Sequence, residues 1–340
     1  MRQSIFLPLM EENPSKAAHF LLKHQDAIPP QDIYEFLRNR PDITAYLSKL
    51  PEAYYLAALG RGDLIQGLTH TQRYQVIKKL RNTPLLKQLL ISNGFTHHLA
   101  TWRPKIANIY LSLLKKSLSE QEWEELLFWE DDLSRNFAHY IEYSHSPLVK
   151  LALQYPELLY KRDLDHNTPL HLRPMVYAPH IKEIPPQLLV LRNHEYLSFF
   201  DYYMIAYYVT LYNQYSKVLL PQALNNRFKH GAWKELERFM VTPEHREAVL
   251  HSLVVPRPNG QTLLFSLLMK EPFDLSPFLN FLEKLPNPIR KNFLKKATPE
   301  LLKVAFAHPD AWPTLRSLIK RKVDQGVLEE LMRFDLASFD

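Results

Sequence analysis

The sequence predicts an all-α protein built of helical hairpins stacked as a solenoid, and three observations carry that expectation. Only seven of the 340 residues are glycine, against a usual share of about 7%. Tight hairpin turns and phosphate-cradling loops rely on glycine's access to positive φ, so folds built on them are disfavoured. Twenty-six prolines recur at short intervals. That is the punctuation of many short helices, because proline suits a first helical turn and breaks a helix interior. No stretch alternates apolar and polar residues with the period of two that marks a strand.

Residues 1–132 read as an N-terminal helical region. Ser4 to Met10 are apolar but few, are followed by Glu11 and Glu12, and lack a small-residue cleavage site, so they make a poor signal peptide. The amphipathic stretch from Leu68 to Leu80 is answered by a second helix opening at Thr83-Pro84. Leu118-Ser119-Glu120-Gln121-Glu122-Trp123 begins another. In each start a hydroxyl can accept from the free N–H groups, and after Ser119 glutamate also favours the positive helix end. The acidic run 119–132, with Trp123, Phe128 and Trp129 inside it, reads as a helix with one wet face. Pro174, Pro179, Pro185 and Pro186 make residues 173–190 a proline-rich, irregular connection before a C-terminal helical lobe, 191–340. In that lobe Thr242-Pro243-Glu244 and Thr298-Pro299-Glu300 are the clearest expected helix starts.

The segment 133–172 carries a further pattern. An apolar helix ends at Tyr155-Pro156-Glu157-Leu158-Leu159, a loop follows with Asp163 and Asp165, and Thr168-Pro169-Leu170-His171 opens a new helix. This resembles the join between two ankyrin repeats. Phe137 to Ile141 and Ser146 to Leu151 would be the two helices of one repeat. A second echo, Asn259-Gly260-Gln261-Thr262-Leu263-Leu264-Phe265, puts Leu263 where the family has proline and Phe265 where it has histidine, within an ankyrin-like unit near 258–284. The resemblance implies degenerate ankyrin-like repeats in which Thr168, His171 and Thr262 buttress turns by hydrogen bonds between neighbours. It departs from the family where Arg173-Pro174 cuts the second opening short, and residues 1–130 carry no such pattern. The openings at Thr168 and Thr262 are 94 residues apart, no multiple of the family's roughly 33. Stacks of this kind, proline-punctuated and free of cysteine, also resemble effector proteins that intracellular bacteria deliver into host cells. Leu328-Glu329-Glu330-Leu331 is similar to the acidic patches of their export tails.

The absence of cysteine excludes disulfides, thiol nucleophiles, thiolate zinc sites and iron–sulfur clusters. No run of 18 apolar residues suggests a membrane span. The expected location is therefore the cytoplasm or, by the resemblance, a host cytosol. Gly62 to Thr69 has phosphate-loop spacing but carries Leu68 where the lysine must stand. No catalytic residue, cofactor or metal ligand is nominated. Three function readings stand side by side. The first is a protein-interaction module that docks a partner through the aromatic helix near Phe199, Tyr203 and Tyr207 and the loop of Asp163, Asp165 and His166. Nine aromatics lie between Tyr196 and Tyr215, and central packing is the plainer reading of them. The second is a membrane adaptor. Residues 284–322 hold ten basic residues and two acids within a chain of net charge +6, so Lys291, Lys295, Lys296, Lys320, Arg321 and Lys322 could meet anionic lipid. A solvated face is the plainer reading there, and nucleic acid is disfavoured for want of interleaved aromatics. The third is an enzyme in which Asp163, Asp165, His166 and His171 converge, although no small-molecule substrate is evident.

Overall fold

Proline begins most of the helices. In the computed structural model, which describes residues 13–47, 69–81, 84–92, 94–270 and 273–320, twelve of twenty α-helices have proline as their first residue. Its missing N–H would have been unpaired there in any case, and its fixed φ is already helical. The described residues contain no strand. The chain divides into two compact units, Met1–Lys161 and Arg162–Asp340.

The first unit holds α1 (Pro14–His24), α2 (Pro30–Asn39), α3 (Pro41–Leu47), α4 (His70–Lys79), α5 (Pro84–Ser92), α6 (Phe95–Thr101), α7 (Pro104–Lys115), α8 (Glu120–Leu127), α9 (Pro147–Gln154) and α10 (Pro156–Tyr160), with a 3-10 turn at Phe137–Tyr140. The expected cap at Ser119 is present. Its hydroxyl accepts from the Glu122 N–H at 3.3 Å, while the Glu122 carboxylate accepts from the Ser119 N–H at 2.8 Å. The core includes an aromatic cluster in which Trp102 meets Phe95 and Tyr110 edge-on.

The second unit holds α11 (Pro169–Leu172), α12 (Pro174–Tyr177), α13 (Pro186–Val190), α14 (Phe199–Tyr215), α15 (Pro221–Phe239), α16 (Pro243–Val254), α17 (Leu263–Leu268), α18 (Ser276–Glu283), α19 (Asn287–Ala307) and α20 (Trp312–Lys320). Trp233 is buried against Phe278 and Phe281 at its centre. Residues 173–190 are not the irregular connection expected. Pro174 and Pro186 each open a short helix, and Ala178–Glu183 forms a 3-10 stretch between them. The cap at Thr242 is present, accepting from the His245 N–H at 3.2 Å. The start expected at Thr298-Pro299-Glu300 is absent, because α19 runs straight through it with Pro299 inside. The Thr298 hydroxyl bonds back to the Leu294 carbonyl at 2.8 Å instead of capping anything.

One turn recurs at four places. At Asp131 the residue's N–H donates to the Arg135 carbonyl (3.0 Å), the Ser134 N–H donates to the Asp131 carbonyl (2.9 Å), and Ser134 takes φ 58°. The same pair of bonds, with a positive φ at the fourth residue, closes the turns that start at Asp163, Asn193 and Arg257, the positive-φ residues being His166, Tyr196 and Gly260. In the first three the opening side chain also accepts two turn N–H groups. Two residues after the positive-φ position stands a helix cap: Asn136, Thr168, Ser198 and Thr262.

Candidate functional site

The nominated loop splits into an inner and an outer half. Asp163 is buried, and its carboxylate accepts from the N–H groups of Asp165 (3.0 Å) and Asn167 (2.8 Å). His171 is buried too. Its Nε2 lies 3.1 Å from each of the Leu191 and Leu197 carbonyls. Carbonyls only accept, so Nε2 carries the proton and Nδ1 is left to accept from the Thr168 N–H (3.0 Å) and hydroxyl (2.8 Å). Asp163 and His171 therefore spend their polar atoms on holding the turn. Asp165 and His166 point outward, and the His166 ring stacks on His194 at 3.8 Å. Among the described residues, no group of three or more His, Asp or Glu side chains is placed to hold a metal ion.

The same buttress occurs at Thr242–His245. The Thr242 hydroxyl lies 2.9 Å from Nδ1 of His245, and its Nε2 donates to the carbonyls of Ile181 (2.9 Å) and Ile184 (3.1 Å). The shared spacing Thr-Pro-x-His at 168–171 and 242–245 was available in the sequence and marks His245 as a structural residue.

Burial pushes the His171 imidazole below its ordinary value, and burial does the same for His97, His98 and His251. The folded protein thus holds these rings neutral, and the unfolded chain takes up protons first. Stability from them is complete above the ordinary value of 6.5 and is lost as pH falls through it. The lowered carboxylates, Asp131 among them, begin to matter only below 3.8 to 4.5. Thermal melts followed by circular dichroism should therefore show the melting temperature falling between pH 7 and 5. A flat profile across that window would refute the assignment.

The aromatic helix α14 turns Phe199, Phe200 and Tyr203 inward. Asp201 closes a capping box on Ser198, accepting from its N–H and hydroxyl at 2.8 Å each. Phe199, Phe200 and Tyr203 are buried. Tyr203 donates to the Glu235 carboxylate at 2.8 Å, and burial together with that carboxylate raises its pKa. Tyr207 packs on Phe228 and against Gly231, where even a Cβ would collide with its hydroxyl. Of the docking residues nominated on this helix, Phe199 and Tyr203 thus lie in the interior and Tyr207 is half-buried. The solvent-facing side of α14 is mostly aliphatic. Ile205, Val209 and Tyr212 are 54%, 48% and 51% exposed and lie four and three residues apart, on one face. Val218 (76%) and Leu220 (72%) extend the apolar surface into the following turn. A helix that is apolar on every side gives no sequence signal for which side is free.

The basic segment is partly neutralised locally. Lys284 pairs with Glu237 and Lys303 with Glu300; Arg290 bonds the neutral Asn287 and keeps its charge. Lys291, Lys295 and Lys296 are exposed on α19. Lys320 ends α20. Arg321 and Lys322, Leu328 to Leu331, and Gly62 to Leu68 lie outside the described residues. No described helix is long and apolar enough to cross a membrane.

The chain matches no protein-family model, and no curated protein or solved structure matches it at a significant level.

Proposed function

We propose that the protein is an interaction module, built as a degenerate ankyrin-like array, that docks a partner protein on the outer face of α14. The observation that carries this reading is the exposed strip of Ile205, Val209 and Tyr212 with Val218 and Leu220. Large apolar side chains grouped on one face, rather than scattered singly, mark contact surfaces. Support for the array comes from the four turns in one register. Their caps are spaced 32, 30 and 64 residues apart, close to one, one and two ankyrin periods. The 94-residue interval between Thr168 and Thr262 divides at Ser198, whose motif keeps the cap but replaces histidine with Asp201.

The test is a pull-down from cell lysate with wild type and an Ile205→Asp/Val209→Asp variant. Both residues are solvent-facing, so the variant should unfold within about 0.5 kcal/mol of wild type and lose the partner. Retention of the partner by the folded variant would end this reading. Delivery of the module into a host cytosol belongs to the same proposal and rests on the effector resemblance alone. A second reading, an adaptor on anionic membranes, is favoured by Lys291 and Lys295, which have no ion pair among the described residues. It expects salt-sensitive flotation with anionic vesicles that Lys291→Glu/Lys295→Glu abolishes.

A further inference from the structure

Within the second unit, α16 and α19 pack side by side and leave between them an open groove of about 410 Å³. Pro243 and Pro288, the first-turn prolines of the two helices, both line it, and so do His251 and Lys296. Lys296 is close enough to His251 to act on it electrostatically. Each helix lines the groove with one face, residues 243–251 of α16 and 288–296 of α19. The groove has an apolar floor of Leu250, Ile289 and Phe293.

Its rim is cationic. Arg246 stands on the α16 wall and Lys296 on the α19 wall, and neither has an ion pair among the described residues. Arg192 adds positive charge beside His251. Glu247 is the one acid among the lining residues. The first turn of α19 also lacks a side-chain cap, which leaves its positive end open. Arg246 and Lys296 face the groove from opposite walls. An extended or helical segment with carboxylates a few residues apart can meet both, with an apolar side chain between them.

We propose that this groove binds an acidic peptide segment of a partner protein, with carboxylates on Arg246 and Lys296 and an apolar side chain between them on Leu250 and Phe293. The site is separate from the α14 strip and stands or falls independently of it. Charge complementarity of this kind sets partner choice and association rate, and truncating or reversing one side weakens binding.

The experiment is fluorescence anisotropy on the full chain with a labelled peptide of about twelve residues made of repeated Leu-Glu-Glu-Leu units. Binding is expected, and Arg246→Glu/Lys296→Glu should weaken it more than about tenfold. The control Lys291→Glu/Lys295→Glu makes the same overall change in net charge, with both substitutions on α19, and should alter binding less than about threefold. Equal loss in both variants would mean diffuse attraction and would overturn the proposal. So would absence of binding at about 1 mM peptide. Capture by phosphatidylserine vesicles that depends on Arg246 and Lys296, without peptide binding, would overturn it in favour of lipid. Because all four substituted residues are polar and solvent-accessible, circular dichroism should show both variants folded.

Discussion

His171→Ala is expected to destabilise the second unit by about 3 kcal/mol, with His245→Ala close behind. The imidazole of His171 satisfies four groups at once. It accepts from the Thr168 N–H and hydroxyl, and donates to two carbonyls twenty or more residues further along. A single lost hydrogen bond costs about 1 kcal/mol, and a buried group left unpaired costs about 1–3 kcal/mol. Truncation also opens a cavity in a site that is 1% exposed, which adds to the loss. Urea unfolding followed by the fluorescence of buried Trp233, in the same unit, measures the effect. A cost below about 1 kcal/mol would show that the buttress contributes nothing. His171→Gln, which can keep one carbonyl contact, should recover part of the loss.

The second large effect is expected at Arg257. Its guanidinium lies 2.7 Å from Asp201, which is 2% exposed and holds the Ser198 cap of α14 with its other oxygen. Arg257→Ala leaves a buried carboxylate with hydrogen bonds but without its close counter-charge. Breaking one side of a buried pair costs about 3–5 kcal/mol. The lower end applies here, because Arg192 also interacts with Asp201. Removing both charges, as Arg257→Met/Asp201→Asn, should cost less than Arg257→Ala alone, since no charge is then stranded. A double variant worse than either single change would show that the pair itself, rather than the stranded charge, carries the stability.

The helical class and the caps at Ser119 and Thr242 could be read from the sequence, because they depend on chemistry within four residues. Thr298-Pro299-Glu300 has the same local chemistry as Thr242-Pro243-Glu244 and a different fate. What differs is that buried residues on both sides, Leu294 and Leu301 among them, keep α19 continuous through it. The repeated turn was half-hidden for another reason. Its positive-φ position is filled by Ser134, His166 and Tyr196, and only once by the glycine that would advertise it. Asp163 and His171 were readable as residues of interest, but not as residues facing inward. On α14 the eight aromatics drew attention to the buried side, while Ile205 and Val209 on the free side are ordinary helix residues. The helices packed against α14, among them α12 and α15 with its close approach at Gly231, decide which side is which.

The three turns closed without glycine have a consequence for the unfolded state. A side chain held at positive φ costs the native fold of order 1 kcal/mol each. The same choice removes the most flexible residue type from the denatured chain, and twelve helices begun by proline stiffen that chain further. Fewer disordered conformations are then available to lose on folding, and at the first-turn prolines, whose fixed φ suits the helix, this returns about 0.4–1 kcal/mol per site. The strain in the turns and the stiffness of the denatured chain are two sides of one composition. Part of this protein's stability is therefore an entropy deficit of its unfolded ensemble, which no contact in the folded structure records.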